Sequence, residues 1–477
     1  MASTQHPPCG GPITCLSTLA PVLHHSGRML NRISPTASWL DAPAGEVRPP
    51  GWDLLLVCVA LHIANYVGRV PQLFPVLSYL KPALLAMVLA IGLYLLHQSG
   101  QRRVALLRSP TMTRLLALLV WSALSVPGAL YQGLAFRSWT DFATIVVMCL
   151  VVAGSVRSVR DVERLVLVYF GVTVLYAGVV LARFPLGGDG PESWRLGDLY
   201  YYDSNDLATL IVSAMPFGLY FVLAQRRAWV RVLAALGLVV LAVALLRSGS
   251  RGGFLAFVAF ATFVLLAFTT IPARSRLVGL GVVLAVVFTT ASDRYWAQMQ
   301  TILNPHRDYN VTSDEGRLKL WERGLGYMTD YPALGVGVGN FRVAEGTIAP
   351  KARLREHGVG VRWQAPHNSF IQVGAELGIP GLLLFMALLA SVFMSLRRVA
   401  RRALAADPPA RDVSRLAQTL MAALVGFVVG AFFLSLAYSN MLYTLAAFAV
   451  GLRKVASADD LRSPRPAYRA PGWRVHA

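Results

Sequence analysis

Twelve apolar runs divide this chain, near residues 52–68, 80–97, 112–130, 140–155, 163–182, 205–224, 229–246, 252–270, 275–291, 378–396, 415–436 and 440–453. Most approach the length of about 20 residues that a helix needs to cross a bilayer. In hydrocarbon every backbone polar group must find a partner within the protein, and a helix supplies one locally. The expected fold class is therefore all-α: a polytopic integral membrane protein of about 12 transmembrane helices with one large outer loop. Composition agrees. Hydrophobic residues make up 55% of the 477 and charged residues 14%, where a soluble domain carries about a quarter. Mean hydropathy is +0.54. A water-soluble enzyme is excluded.

The net charge of +20, from 44 Lys+Arg against 24 Asp+Glu, would point to nucleic acid in a soluble protein. In a membrane chain it is first a topology signal. With the N-terminus inside, the inner connections hold Arg102, Arg103, Arg108, Arg157, Arg160, Arg164, Arg226, Arg227, Arg231, Arg274, Arg276 and the cluster Arg397 to Arg415. With Arg114 and the tails, 27 of the 44 basic residues then lie inside, ten fall in one long outer loop, and seven remain for the short outer loops. The asymmetry fits an even number of spans with both termini cytoplasmic. No nucleic-acid partner is called for. Five regions follow: a disordered cytoplasmic tail at 1–51, helices one to nine over 52–291, the large loop with an interfacial helix at 292–366, helices ten to twelve over 367–457, and a second tail at 458–477. No removable signal peptide is expected. Cys9, Cys15, Cys58 and Cys149 imply no disulfide framework.

The polar chemistry gathers on the outer side. The connection 183–204 is rich in Gly, Asp and Tyr and runs into Ser204-Asn205-Asp206. The next outer turn reads RSGSRGG over 247–253. The loop 292–366 is long enough to be functional. Within it, apolar spacing at Leu318, Trp321 and Leu325 predicts a short amphipathic helix at the membrane surface, followed by a Gly-rich turn at 335–339. The loop ends in APHNSFIQVGAELGIPGLLLF, where Gly378, Pro380 and Gly381 should break the helix. That stretch reads as site-forming.

Together these pieces resemble the O-antigen ligase and O-antigen polymerase superfamily of bacterial envelope glycosyltransferases. The match is carried by Ser204-Asn205-Asp206-Leu207-Ala208, Ser250-Arg251-Gly252-Gly253, Arg317 with Trp321 and Pro332-Ala333-Leu334-Gly335-Val336-Gly337, and His367-Asn368 with Gly378-Ile379-Pro380-Gly381. The resemblance implies a multi-span, lipid-dependent glycosyltransferase of the inner membrane with its site facing the periplasm. The donor would be a glycan on polyprenyl diphosphate, usually undecaprenyl. The acceptor would be a glycan or glycolipid hydroxyl: the next repeat unit for a polymerase, lipid A–core for a ligase. No metal or cofactor is implied, and the reaction would invert the anomeric carbon. Membrane lipid and other envelope polysaccharide assembly proteins are the remaining expected partners.

This chemistry needs a cationic clamp for the diphosphate, a base for the acceptor hydroxyl, and exclusion of water. Arginine suits the clamp because it stays charged and binds phosphate bidentately. Arg251 and Arg317 are the first choices, with Arg195 and Arg323 in reserve. His367 is the natural general base. The glycines beside Arg251 would let phosphates approach. Asp206 has two readings, cap of the sixth span or contact to the glycan. Asn368 can cap the following helix or bind substrate. Glu376 is either structural or a second carboxylate of the site. His306 and His357 read as ordinary loop histidines. Polymerase is preferred to ligase. A transporter or flippase is the rival class; it predicts a continuous central pathway, whereas the enzyme predicts a wide outer pocket lined by Arg251, Arg317 and His367.

Overall fold

Each of the twelve apolar runs overlaps a helix. A computed structural model describes residues 51–184, 194–196, 202–304, 311, 313, 316–354 and 362–456. The chain divides into Met1–Val47 and Arg48–Ala477, and only the second unit is described. The tails beyond 51–456, residues 185–193, His306 and His357 lie outside the described residues.

The elements, in order, are α1 (Leu54–Tyr66), α2 (Val70–Leu73), α3 (Pro82–His97), α4 (Gly100–Leu107), α5 (Pro110–Leu124), α6 (Gln132–Ser155), α7 (Val159–Arg183), α8 (Ser204–Ala224), α9 (Ala228–Ser248), α10 (Arg251–Ala267), α11 (Ala273–Thr290), α12 (Asp293–Gln300), α13 (Arg317–Asp330), α14 (Phe341–Thr347), α15 (Pro350–Arg353), α16 (Ser369–Ala405), α17 (Arg411–Ala431) and α18 (Asn440–Val455). No strand occurs among the described residues. Six helices are long and apolar enough to cross a membrane: α6, α7, α8, α9, α16 and α17. The bent pair α3–α4 makes a seventh if it counts as one span. The other predicted spans coincide with shorter helices, down to the 13 residues of α1. At 1.5 Å per residue α1 rises only about 20 Å, short of the hydrocarbon thickness.

The core is built on α8 and α17. They pack against each other, and α9, α10 and α16 pack around them. Small residues set these approaches. A Cβ at Gly430 would lie 2.4 Å from Thr209 Oγ1, and one at Gly426 2.8 Å from Val212. Substituting either would force the two central helices apart.

The described residues of the large loop include α12 to α15. The amphipathic helix is present as α13, and the side that packs on the protein is distinct from the one bearing Leu318 and Leu325. Leu320, Gly324 and Tyr327 are buried, while Leu318 and Leu325 are 47% and 46% exposed. Gly324 decides this. A Cβ there would sit 2.4 Å from Ile371, so this glycine brings α13 onto the start of α16.

The predicted helix break is at Gly378, whose φ of 70° and ψ of −173° interrupt α16. Its cause is a second segment. The Gly-rich turn docks on the break, with Val336 N donating to Ala375 O at 2.9 Å, Gly337 N to Glu376 O at 3.0 Å, and Ile379 N to Pro332 O at 2.9 Å. Gly335, Gly337 and Gly339 all have positive φ. Their other side meets the connection after α5: Val338 N donates to Ser125 Oγ and the buried Asn340 side chain accepts from Tyr131 N. A carbonyl freed by the broken helix, Leu377 O, accepts from Trp121 Nε1 at 3.0 Å.

Candidate functional site

The first turns of three helices converge on one cleft. Its walls are Asn205 and Thr209 of α8, Ser250, Gly252 and Gly253 at the start of α10, Arg317 as the first residue of α13, Gly430 in the last turn of α17, and Phe433 and Leu434 after it. Helix starts carry partial positive charge and unsatisfied N–H groups. Two such ends and a guanidinium bring positive potential to the cleft, and the Asp203 and Asp206 carboxylates at the start of α8 offset part of it.

Local sequence sets each wall. At α8 the N-cap is Asp203: its Oδ1 accepts from Asn205 N and Asp206 N, each at 2.7 Å. The capping reading of Asp206 is thus corrected by three residues, and Asp206 sits in the first turn beside Asp203. At α10, Ser250 Oγ accepts from Gly253 N at 3.1 Å. The glycines that follow serve packing. A Cβ at Gly253 would lie 2.5 Å from Ala208 and one at Gly252 3.1 Å from Phe433. They admit α8 and the α17–α18 connection, which places Arg251 at the cleft's edge. Arg251 reaches α12 instead of the cleft centre, its NH1 donating to Thr301 Oγ1 at 2.7 Å. Arg195 lies one layer out, where its Nε donates to Ser248 O at 3.1 Å beneath the same turn.

His367 occupies the left-handed region, with φ 46°, a conformation a non-glycine residue keeps only when its surroundings hold it. Here the connection 432–439 holds it. His367 N donates to Ser435 Oγ at 3.0 Å, Ser369 Oγ donates to Leu434 O at 2.7 Å, and Leu436 N donates to Ser369 Oγ at 2.8 Å. Trp321 closes the corner, its Nε1 donating to Pro366 O and its ring edge-on to Phe432. Burial pushes the His367 imidazole down to about 4; Arg317 pushes the same way, Asp203 opposes, and Arg342 adds to the lowering. The ring is therefore neutral at ambient pH.

The remaining predicted residues go elsewhere. Asn368 is 2% exposed and caps α16, its Oδ1 accepting from Phe370 N and Ile371 N at 2.9 and 3.1 Å. Glu376, also 2% exposed, accepts from Phe341 N inside the packing of the Gly-rich turn. Arg323 is locked to Glu345: Nε donates to both carboxylate oxygens at 3.0 Å and NH2 to Oε2 at 2.7 Å. Tyr327 OH donates to the same carboxylate. These three residues build the scaffold. The cleft joins Arg317 to the Asn205 and Ser250 motifs with His367 in electrostatic reach. It is narrower than the expected wide pocket, and neither Arg251 nor His367 lines it. Asp203, Ser435 and Arg342 were missed. Asp203 carried a usable signal, since an Asp directly before Ser-Asn-Asp at a helix start is a capping pattern.

Residues 236–386 match a family model described as O-antigen ligase. The matched segment spans α10, the described part of the large loop and the broken start of α16, and it supports the resemblance to the O-antigen ligase/polymerase superfamily that the motifs carry. No curated protein sequence matches the chain.

Proposed function

We propose, from an O-antigen ligase-type domain at residues 236–386, that this multi-pass membrane protein is a glycosyltransferase. It would move a polyprenyl-diphosphate-linked glycan to an acceptor hydroxyl and so polymerise surface polysaccharide repeat units. The observation that carries this reading is the convergence of Arg317 with the first turns of α8 and α10 on one cleft beside His367. Charge builds on the diphosphate as its bond to the anomeric carbon breaks. Donors already aimed at that position stabilise the transition state without reorganising. Arg317 and the helix ends supply the positive charge, with Arg251 at the rim, so no metal is needed.

In the transfer, the acceptor oxygen bonds to the anomeric carbon and its proton passes to His367. The carbon–phosphate oxygen bond breaks, and polyprenyl diphosphate leaves with the electron pair. Attack opposite the leaving group inverts the anomeric centre. A base with a pKa near 4 is weak at neutral pH. Burial and Arg317 are the first two causes of that depression, and a bound diphosphate counters the second. Donor binding thus raises the basicity of His367 at the moment it is used. The distribution of arginines supports an inner-membrane chain with both termini cytoplasmic and the cleft facing the periplasm.

The test uses purified protein with lipid-linked repeat units alone, and then with lipid A–core added. Longer lipid-linked chains in the first reaction support polymerisation. Product only in the second makes the enzyme a ligase. No transfer in either, from folded protein, overturns the reading.

A further inference from the structure

At the ends of α16 and α18 remote from the cleft lies a group of arginines that the proposed reaction does not use. Both helices start beside the cleft, α16 after His367 and α18 after the connection that bears Ser435. From the break at Gly378 to Arg398, α16 rises about 30 Å, the thickness of a bilayer's hydrocarbon core. Arg398 and Arg402 follow the last apolar turn at an i,i+4 spacing and so share one helix face. α18 packs against α16 and brings Arg453 to the same level, where Arg398 and Arg402 act on it as like charges.

A basic residue at a helix end commonly caps carbonyls or complements the dipole. In this corner Lys454 takes that role for the neighbouring helix α6. Lys454 Nζ donates to Ala153 O and Gly154 O at 3.0 and 2.9 Å, capping α6. Arg453 is half-buried while Arg398 and Arg402 are exposed. Among the described residues none of the three has a hydrogen-bond or ion-pair partner. Holding three guanidiniums together with one of them partly desolvated is unfavourable without an anion between them. At the headgroup level, the anion at hand is a lipid phosphate.

We infer that Arg398, Arg402 and Arg453 form a cradle for the phosphate of an anionic membrane phospholipid on the membrane face opposite the cleft. Guanidiniums from two helices grip one phosphate and tie the end of α16 to the end of α18. The neighbouring pair Arg397 and Arg401 lies on the adjacent stripe of α16 and serves as an internal control of equal charge.

The experiment follows thermal unfolding of the full chain in detergent, titrated with dioleoyl phosphatidylglycerol, dioleoyl phosphatidylcholine or inorganic phosphate. Phosphatidylglycerol should raise the unfolding midpoint of the wild type; the other two should not. At about fivefold per arginine, Arg398→Gln/Arg402→Gln should weaken the phosphatidylglycerol response about thirtyfold. Arg453→Gln should weaken it about fivefold, and Arg397→Gln/Arg401→Gln should leave it nearly unchanged. Equal responses to the two lipids overturn the proposal. So does an equal loss in the control pair, which would mean diffuse attraction, and so does an equal response to inorganic phosphate. Should Arg453→Gln fail to fold, the two double variants, which alter only exposed positions, decide the matter.

Discussion

Arg317 and Arg323 lie six residues apart on α13, yet they belong to different kinds of structure. Arg317 opens the helix and lines the cleft with Asn205, Ser250 and Gly252. Arg323 is bound bidentately by Glu345, and Tyr327 completes the carboxylate's hydrogen bonding. The first arginine lines the cleft and acts on His367, and the second is held by a carboxylate of the scaffold. Two residues of one type on one helix are told apart by what faces them, and that is a property of the folded chain.

Substitutions should sharpen this contrast. The largest effect on turnover belongs to Arg317→Ala and His367→Ala, each expected to cut transfer by about 10²–10⁴-fold while the unfolding midpoint holds. Loss of activity in proportion to loss of folded protein would assign both to the scaffold. Glu345→Ala should do the reverse. It strands Arg323 and Tyr327 and should cost about 3 kcal/mol of stability, measured by thermal unfolding, with turnover per folded molecule little changed. Gly337→Ala tests the docked turn. At φ 99°, with a Cβ 2.3 Å from Ala129, it should cost about 2 kcal/mol. Asn368→Ala removes a helix cap and should cost about 1 kcal/mol; a complete loss of transfer in a folded Asn368→Ala protein would return this residue to the substrate.

The pH profile separates the two regions again. His367 works as a base only when neutral, and its lowered pKa of about 4 keeps it neutral through ordinary pH. The kcat/KM profile of the free enzyme should therefore stay level as pH falls to about 5 and drop below that. The acid limb of kcat should lie at higher pH, because bound diphosphate raises the imidazole's pKa. An acid limb of kcat/KM at the ordinary histidine value would mean that the burial of His367 does not govern its titration.

Much of this was legible in the sequence because the signals are local. Apolar runs located the helices, Gly378-Ile379-Pro380-Gly381 announced the break in α16, and His-Asn before a helix marked its start. What stayed hidden depends on distant partners. Gly335 to Gly339 could be read as a turn, but not as a turn held between Glu376 and Ser125. Arg323 looked free to bind phosphate because Glu345 is far along the chain and reaches it only once α14 folds back. The apolar spacing of Leu318 and Leu325 marked α13 as a helix, but not that Gly324 would bring its other side onto α16. The connection 432–439 was hidden in an apolar run that read as helix to residue 436. The helix ends at Ala431, and the residues after it wall the cleft and fix His367.

The most direct test of the central claim is transfer per folded molecule in Arg317→Ala and Arg323→Ala, assayed side by side with purified protein and lipid-linked repeat units. The account predicts at least a hundredfold loss for Arg317→Ala and a change within about twofold for Arg323→Ala, whose defect should instead be in stability. Equal losses in the two variants, or full activity in Arg317→Ala, would contradict it.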